Sequence, residues 1–259
     1  MIAEPLFTES KDQGVAPQSV IIEMNNIKKS FNNSQILKGV SLKVYKGENL
    51  VVLGKSGSGK SVLLKCIVGL VYPDEGEINV FGEKISDLNY KQLNQLRLKI
   101  GFLFQNAALY DSMTVGENLY FPLKHHFKKL TEEEIWKKIN EDLENVGLKE
   151  AIDKMPSEIS GGMTKRIGLA RTLILNPEIM LYDEPTTGLD TVTAREISDL
   201  IVSMQNKNKI SSIIITHDMA CAKITADRIV ILKDGQVETE GTYDELAASG
   251  NEWVRNFFV

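Results

Sequence analysis

The sequence predicts an α/β protein with a mostly parallel central sheet, an antiparallel β portion near the N-terminus and an inserted helical subdomain. After residue 175, short apolar strands such as "EIMLYDE" and "SSIIITHD" alternate with helical patterns, which is typical of parallel sheets. Near the N-terminus, strand patterns follow one another without helices between them. From about 86 to 175 the pattern is mainly helical, which predicts the insertion.

Composition excludes several classes of protein. The chain has 259 residues, of which 42% are hydrophobic, and this suits one large α/β domain. A net charge of −5 argues against nucleic acid as the main partner. The longest apolar runs are strand-sized, well short of the roughly 18 residues of a membrane span. Two cysteines and a start unlike a signal peptide predict reduced thiols in a cytosolic compartment, with Cys66 buried and inert in an apolar helix.

The elements follow in order along the chain. Residues 1–18 mix Pro, Gly, Ser and charge without periodicity and predict a flexible tail. Strand patterns appear in "VIIEMNNI" and "SLKVYKGENLVVLG", joined by the turn-rich "FNNSQ". In the helical part, Thr131 and Glu134 of "TEEEIWKKINEDLENVGL" fit a capping box. We expect one domain over 19–240, containing a helical subdomain at about 86–175, and a C-terminal helical tail over 241–259.

A glycine-rich loop follows the apolar strand "LVVL" and precedes an apolar helix. Its residues "GKSGSGKS", from Gly54 to Ser61, fit the pattern G-x-x-x-x-G-K-[ST] in the structural context that the pattern requires. Backbone N–H groups of such a loop surround phosphates at a helix N-terminus. Lys60 would neutralise the β- and γ-phosphates, and the Ser61 hydroxyl would bind Mg²⁺. A glycine-rich loop without a ligand is the alternative, but the flanking strand and helix favour nucleotide binding.

A pair of carboxylates follows another buried strand, in "IMLYDEP" over 179–185. The strand brings Asp183 and Glu184 to the carboxyl edge of the sheet, where open α/β sheets bind ligands. Because neighbouring strand residues point to opposite sides, Asp183 is predicted to face Mg²⁺ and Glu184 to face an attacking water as a general base. Most isolated Asp-Glu pairs are solvated surface, but the loop in the same chain favours the functional interpretation.

Three further side chains are candidates for this site. Gln105 follows a strand in "FLFQN" and would place the water or contact Mg²⁺. His217 ends the strand of "IIITHD", which should lie beside the strand of the carboxylate pair, and would contact the γ-phosphate. Phe31 would stack on adenine, although a core position is the commoner role for such a residue. His125 and His126 are expected to be solvated loop residues.

The residues resemble the ATP-binding cassette (ABC) ATPases closely. "SGGM" at 160–163 resembles the signature of that family, and "GLD" at 188–190 resembles its D-loop. Together with the motifs above they form an ordered set over about residues 19–240. The resemblance implies an ATPase in which a homodimer of cassettes binds two ATP molecules, head to tail, with Mg²⁺.

The resemblance also implies which residues form the composite site. One subunit would bind ATP through Phe31, Gly54, Lys55, Ser56, Gly57, Ser58, Gly59, Lys60, Ser61 and Val62. The other subunit would contribute Ser160, Gly161, Gly162, Met163 and Asp190. Ser61, Gln105 and Asp183 would hold Mg²⁺, and Glu184, His217 and Gln105 would act in hydrolysis.

The helix after Ser160 opens on two glycines and a basic first turn. Glycine costs backbone entropy, and cations oppose the dipole at a helix N-terminus. If the helix points at the γ-phosphate of the other subunit, Gly161 and Gly162 leave N–H groups bare for that approach. The phosphate would also make Lys165 and Arg166 tolerable. A simple N-cap with flexible glycines is the alternative, and it explains Ser160 but not the pair.

Met163 narrows the resemblance, because most ABC signatures carry Gln there and Met cannot donate a hydrogen bond to phosphate. "SGGM", the segment "GFLFQNAALYDSMTVGENLYFPL" over 101–123 and the C-terminal "WVRNFF" are similar to the ATPases of MCE-associated (Mla-type) lipid transporters. That resemblance implies a peripheral subunit at the cytoplasmic face of the inner membrane. It would drive phospholipid transport between bacterial membranes through an MlaE-type permease dimer and an MCE lipid-binding protein.

Apolar residues after Gln105 are candidates for contact with the permease. Leu109, Tyr110, Met113 and Phe121 would line a groove for a permease helix; subdomain core is the alternative, and it is favoured for Phe121. A soluble ABC ATPase of another class, such as one for iron–sulfur cluster assembly, is the alternative function. We expect no nucleic-acid partner, because the chain has one cassette and lacks both a long coiled coil and zinc-type cysteines.

The C-terminal tail combines a helix start with an aromatic end. Thr242 and Glu245 fit a capping box, and Gly250 should end that helix. Large apolar side chains then crowd together at Trp253, Val254, Phe257 and Phe258. Burying each is worth roughly 1.5–3 kcal/mol, so they need a partner. Two partners remain open: the tail's own cassette, or the neighbouring subunit, which it would hold between turnovers.

Overall fold

The computed structural model describes residues 19–258, so the predicted flexible tail over 1–18 lies outside the described residues. The strands in this part of the chain are β1 (Val20–Phe31), β2 (Ser34–Tyr45), β3 (Asn49–Leu53), β4 (Glu75–Val80), β5 (Glu83–Lys84), β6 (Ile100–Leu103), β7 (Ile179–Asp183), β8 (Ser211–Thr216), β9 (Arg228–Lys233) and β10 (Gln236–Gly241). The α-helices there are α1 (Lys60–Ile67), α2 (Tyr90–Arg97), α3 (Val115–His126), α4 (Glu132–Asn145), α5 (Gly161–Leu173), α6 (Thr191–Asn208), α7 (Met219–Thr225), α8 (Tyr243–Ala247) and α9 (Glu252–Arg255).

The strands form two sheets. The first is antiparallel, in the order β2-β1-β4-β5, and the second has the order β10-β9-β3-β8-β7-β6. In the second sheet β9, β3, β8, β7 and β6 run parallel, and β10 pairs antiparallel with β9. The predicted fold class is therefore confirmed. Two details differ: β6, in the mainly helical range 86–175, belongs to the parallel sheet, and β10 adds an antiparallel edge strand.

The pattern "SLKVYKGENLVVLG" is divided between the two sheets. β2 ends at Tyr45, and the chain turns through Gly47 at a φ of 79° before β3 begins. Reading this pattern as one strand was wrong, because a left-handed glycine in the middle redirects the chain. The turn at "FNNSQ" is confirmed: Phe31 pairs with Ser34, and Asn32 and Asn33 both have positive φ. Such a two-residue turn fits the twist of a hairpin and sets Phe31 at the tip of β1.

The parallel sheet is buried on both faces. In β3, Leu50 and Val52 pack towards the antiparallel sheet and α1, whereas Val51 and Leu53 pack on the opposite side. This follows from the side-chain period of two along a strand, and it explains the unbroken apolar strand patterns. Both cysteines are free and buried, and burial raises the pKa of each thiol to about 11. The expectation that Cys66 is buried is confirmed, and its lack of reactivity stays a prediction.

The helical subdomain has its own core between α3, α4 and α5, built around residues such as Leu119, Ile135 and Ile139. The predicted capping box at Thr131 and Glu134 is present at the start of α4. His125 and His126 are exposed but lie in the last turn of α3. Their assignment to a loop was wrong, because the helical pattern continues two residues further than the composition suggested.

The C-terminal tail packs on its own chain. The predicted capping box of Thr242 and Glu245 starts α8. Val254 in α9 is only 1% exposed and joins the core beneath α6 and α7, with Phe257 and Phe258 against it. The Trp253 ring lies 4.2 Å from Lys233 Nζ. Within residues 19–258, helices that combine the length and apolar character of a membrane span are absent.

Candidate active site

A cavity of about 630 Å³ lies where β1, β3, β7 and β8 end. It is lined by Phe31, Ile36, Lys55, Ser56, Gly57, Gly59, Lys60, Ser61, Val62, Gln105, Glu184 and His217. This volume is in the range of small-molecule sites. Phe31 is 43% exposed and forms part of the wall, so a core position for this ring is ruled out. The structure thus brings together residues predicted from five separate parts of the chain.

Glycine is required in the loop for two different reasons. Gly59 has a φ of 97°, and a β-carbon there would lie 2.8 Å from Leu37 Cδ2. Gly54 lies against β9, where a β-carbon would meet the Leu232 carbonyl oxygen at 2.5 Å. Ser58 is buried behind the loop, and neither it nor Gly54 lines the cavity. The loop therefore follows its path only because glycine avoids both steric conflicts.

Lys60 lies at the first position of α1, directly behind the loop. Its Nζ donates to the carbonyl oxygens of Gly54 at 2.7 Å and Lys55 at 3.1 Å, and it lies 3.9 Å from Glu184 Oε1. Burial lowers the pKa of Lys60, while the charges of Glu184 and Asp183 oppose this. The ammonium group is thus held within the loop at the position where it would meet phosphate oxygens.

Ser61 and Asp183 meet at the predicted metal position. Ser61 Oγ donates to Asp183 Oδ1 over 2.8 Å. Burial raises the pKa of Asp183, and the hydrogen bond from Ser61 opposes this. A hydroxyl and a carboxylate are the hard oxygen ligands that Mg²⁺ prefers. Groups of three or more acidic, His or Cys side chains that could hold a metal are absent from residues 19–258.

Glu184 directly follows β7, and its backbone conformation is left-handed, with a φ of 52°. The sequence predicted that Asp183 and Glu184 point to opposite sides because neighbouring residues alternate along a strand. That reason was wrong, because the strand ends at Asp183 and the chain turns at Glu184. Its N–H donates to the Ile215 carbonyl at 2.9 Å. Its Oε2 lies 2.8 Å from His217 Nδ1 and accepts from Thr187 Oγ1 at 3.1 Å. Sequence reasoning missed Thr187, which only the turn after the strand brings back to Glu184.

His217 and Gln105 lie on opposite sides of Glu184 along the sheet edge. The strand before His217 is hydrogen-bonded to the strand of the carboxylate pair, with Asp183 opposite Ile215, as predicted. Gln105 is exposed and lines the cavity just after β6. Its roles towards Mg²⁺ and water stay predictions.

The signature residues lie at the start of α5 and do not line this cavity. Ser160 is the N-cap and accepts from the Met163 N–H at 3.3 Å. A β-carbon at Gly162 would lie 2.6 Å from Thr193 Cγ2, whereas one at Gly161 would have 3.8 Å to its nearest neighbour. The expectation that packing within the chain leaves the glycine pair unexplained was therefore wrong for Gly162. It holds for Gly161 alone.

The basic residues of this helix have partners inside the chain. Lys165 is buried, and its Nζ donates to the carbonyl oxygens of Gln105 and Glu184. Arg166 donates to the Val146 carbonyl at 3.3 Å and to Glu196 at 2.5 Å. These partners within the chain explain the two cations without a phosphate on a partner, and the effect of that phosphate on them stays a prediction.

Asp190 is the N-cap of α6. Its carboxylate accepts from the N–H groups of Val192 and Thr193, both at 3.0 Å, and from Thr193 Oγ1 at 2.6 Å. These hydrogen bonds lower the pKa of Asp190. A structural role within the chain therefore accompanies the role towards ATP that the resemblance implies. The Asp at a helix start is the sequence signal that predicts this cap.

Comparison with known proteins identifies relatives of this chain. The family model described as "ABC transporter" matches residues 37–187. The chain is 39% identical to the protein TRIGALACTOSYLDIACYLGLYCEROL 3, chloroplastic, of Arabidopsis thaliana, over 95% of this chain and 76% of that protein. It is 41% identical to the probable ribonucleotide transport ATP-binding protein mkl of Mycobacterium leprae, over 94% of this chain and 70% of that protein.

A solved structure matches the fold as well. It is a dimeric, post-hydrolysis state of an ATP-binding cassette bound to ADP and Pi. The TM-score is 0.79 at 34% sequence identity, and the match covers 85% of this chain and 98% of the other.

Proposed function

The chain belongs to the ABC transporter family, and on this premise we propose that it drives phospholipid transport between bacterial membranes, through an MlaE-type permease and an MCE lipid-binding protein. The general activity is that of the family: the chain binds ATP with Mg²⁺, hydrolyses it to ADP and phosphate as a cassette dimer, and couples hydrolysis to a separate membrane permease. The cargo and the named partners are the proposal.

We assign the steps of hydrolysis to residues of the cavity. The loop N–H groups and Lys60 would bind the phosphates, and Ser61 and Asp183 would hold Mg²⁺, which would supply positive charge to the phosphate oxygens. Glu184 accepts the proton of the attacking water. His217, at 2.8 Å from its carboxylate, orients Glu184, and Gln105 lines the cavity on the opposite side.

The observation that carries the lipid assignment is the signature "SGGM" together with the segment over 101–123. Both are similar to the corresponding parts of MCE-associated ATPases. Within the signature, Met163 stands where most ABC proteins have Gln. The relative from Arabidopsis, which aligns over 95% of this chain, carries the name of a galactolipid, and this supports a lipid cargo.

The surface beside Gln105 supports a permease contact. Tyr110 and Phe121 are both exposed, and their ring centroids are 5.6 Å apart. Phe121 is 46% exposed, so the subdomain-core position favoured for it was wrong. Met113 is half-buried nearby in sequence, whereas Leu109 packs into the core. An exposed aromatic pair of this kind marks an interaction surface, and it would accept an apolar permease helix.

Ribonucleotide transport is the second candidate cargo. It is favoured by the name of the Mycobacterium leprae relative, which aligns at 41% identity. A ribonucleotide cargo and a phospholipid cargo differ in charge and apolar area, so one assay separates them.

The test is purification of the tagged full chain from detergent-solubilised membranes, with Glu184→Gln as the matched control. We expect an integral membrane protein to copurify, phospholipid to be enriched in the extract, and phospholipid vesicles but not ribonucleotides to stimulate ATP hydrolysis by the complex. The control should bind the same membrane protein without stimulation. Stimulation by ribonucleotides alone would overturn the lipid assignment, and purification without any membrane protein would favour a soluble ABC ATPase, such as one for iron–sulfur cluster assembly.

A further inference from the structure

One face of α5 holds the segment 105–108, which connects β6 to the helical subdomain. Lys165, Gly168 and Arg171 occupy this face at a spacing of three residues, so they lie in one row along the helix. Arg171 donates to the carbonyl oxygens of Ala107 and Ala108, both at 2.9 Å. A β-carbon at Gly168 would lie 2.6 Å from the Ala107 side chain, so glycine permits the close contact.

The segment itself needs this support. Ala107 and Ala108 have φ values of 54° and 51°, a conformation that is unfavourable for residues with a β-carbon and persists only where the surroundings impose it. α5 supplies those surroundings through a packing contact and hydrogen bonds to main-chain carbonyls. The position of Gln105 relative to the sheet is therefore set by α5.

Lys165 extends this contact to the hydrolysis site. It is 6% exposed, and its ammonium group donates to the Gln105 carbonyl and, at 3.2 Å, to the Glu184 carbonyl. The Glu184 N–H is bonded to β8 through Ile215. The Glu184 main chain is thus fixed on one side by the sheet and on the other by α5.

From this geometry we infer that Lys165 is a positioning residue for ATP hydrolysis. Its ammonium group holds the Gln105 and Glu184 backbones together and ties both to α5. The N-terminus of that helix is Ser160, which the resemblance assigns to the partner's ATP. A displacement of α5 at the partner's nucleotide is therefore transmitted, through one side chain, to the base of the chain's own site. The inference rests on the proposed role of Glu184 and is independent of the cargo.

A structural role and a positioning role of Lys165 predict different effects of its substitution on stability and on kinetics. Loss of a structural tie lowers the thermal midpoint and leaves the turnover of the folded fraction unchanged. Loss of a positioning group lowers kcat with little change in KM, because the groups that bind ATP are untouched while the base is displaced. Arginine can donate to both carbonyls and should restore turnover.

The test compares Lys165→Met and Lys165→Arg with Arg166→Met, using the full chain and ATP as the varied substrate. Arg166 is the matched control, because it is a cation one residue further along α5 that binds Val146 and Glu196, outside the cavity. For folded Lys165→Met we expect kcat to fall about tenfold or more with KM within about twofold of wild type. Lys165→Arg should recover most of kcat, and Arg166→Met should keep it.

If Lys165→Met does not fold, Lys165→Gln replaces it, because the amide donates to one of the two carbonyls and predicts an intermediate kcat. Wild-type kcat in a folded Met or Gln variant overturns the inference, and so does a loss of kcat that Arg does not restore. Glu184→Gln is measured in parallel. If it hydrolyses ATP normally, the proposed base is wrong; if it is inactive while Lys165→Met is fully active, only the positioning role of Lys165 is wrong.

Discussion

The predicted composite ATP site has two parts: the loop end, formed by the glycine-rich loop with Asp183 and Glu184, and the signature end, formed by residues 160–163. They differ in how far the chain itself supplies hydrogen-bond partners to their polar groups. At the loop end, Lys60 and Asp183 are buried and Ser61 is half-buried, and all three are bonded to one another or to carbonyls. At the signature end, Ser160 is exposed, and a β-carbon on Gly161 would make only an ordinary van der Waals contact, at 3.8 Å from Leu189 Cδ2. The loop end is preorganised within one chain, whereas the signature end is predicted to act only on the ATP of a partner.

This difference has a physical origin. Catalytic electrostatics depend on dipoles that are fixed before the reaction, so the loop end must be held by its own core. The signature end is predicted to approach ATP only when two cassettes meet, and this would explain why Ser160 stays exposed in the single chain. Mutations at the two ends should therefore impair ATP hydrolysis in different ways.

The largest effect is expected at the loop end, for Glu184→Gln. Glutamine keeps the size of the side chain but cannot accept the proton, so hydrolysis should fall by about 10²–10⁴-fold while ATP binding persists. Single-turnover hydrolysis and quantification of retained ATP measure both properties. Near-normal hydrolysis by the purified variant contradicts the assignment of Glu184 as the base.

The next largest effect tests the signature end, with Gly161→Asp. Its own chain accommodates a β-carbon at this position, so the thermal midpoint should be unchanged while the carboxylate repels the partner's phosphate and abolishes most turnover. Gly162→Asp is a poorer probe, because a side chain there would also clash with Thr193 in the same chain.

Mixing Gly161→Asp with Lys60→Ala then separates the two ends. In a mixed dimer both lesions fall in one composite site and the other site is intact. About a quarter of wild-type turnover should return, since about half of the dimers are mixed and each keeps one site. Gly161→Asp with full activity on its own shows that the signature end does not act across the dimer.

An intermediate effect is expected for the C-terminal tail. Like the loop end, the tail is held by contacts within its own chain. Deleting residues 251–259 removes buried Val254, which alone costs about 2 kcal/mol of stability, and should lower the thermal midpoint. The mass in solution without ATP should match that of the full chain. A shift towards monomer with an unchanged thermal midpoint supports exchange of the tail between subunits instead.

The smallest effect is expected for Phe31→Ala, at the rim of the cavity. The ring is partly exposed and would stack on adenine, so its loss should cost roughly 1 kcal/mol, or about fivefold in the KM for ATP, with kcat preserved. Phe31→Tyr is the matched control and should keep the KM. An unchanged KM in the alanine variant excludes adenine stacking by this residue.

The sequence by itself determined the fold class and the chemistry at the loop end. "GKSGSGKS" and "IMLYDEP" each join a buried strand to functional residues within a few positions, so local spacing was enough to predict which side chains reach the sheet edge. The capping boxes of α4 and α8 were predictable for the same reason, because a cap depends on residues three apart.

Only the tertiary structure decided the contacts between distant segments. It showed that Gly162 is packed against Thr193, that Phe31 and Phe121 are exposed, and that Lys165 holds two carbonyls. Residues 105, 165 and 184 are far apart in the chain, and they meet because β6 and β7 are neighbours in the sheet and α5 lies against both segments. A main-chain carbonyl carries no sequence signal, so a lysine that binds carbonyls has the same appearance in sequence as a lysine in solvent.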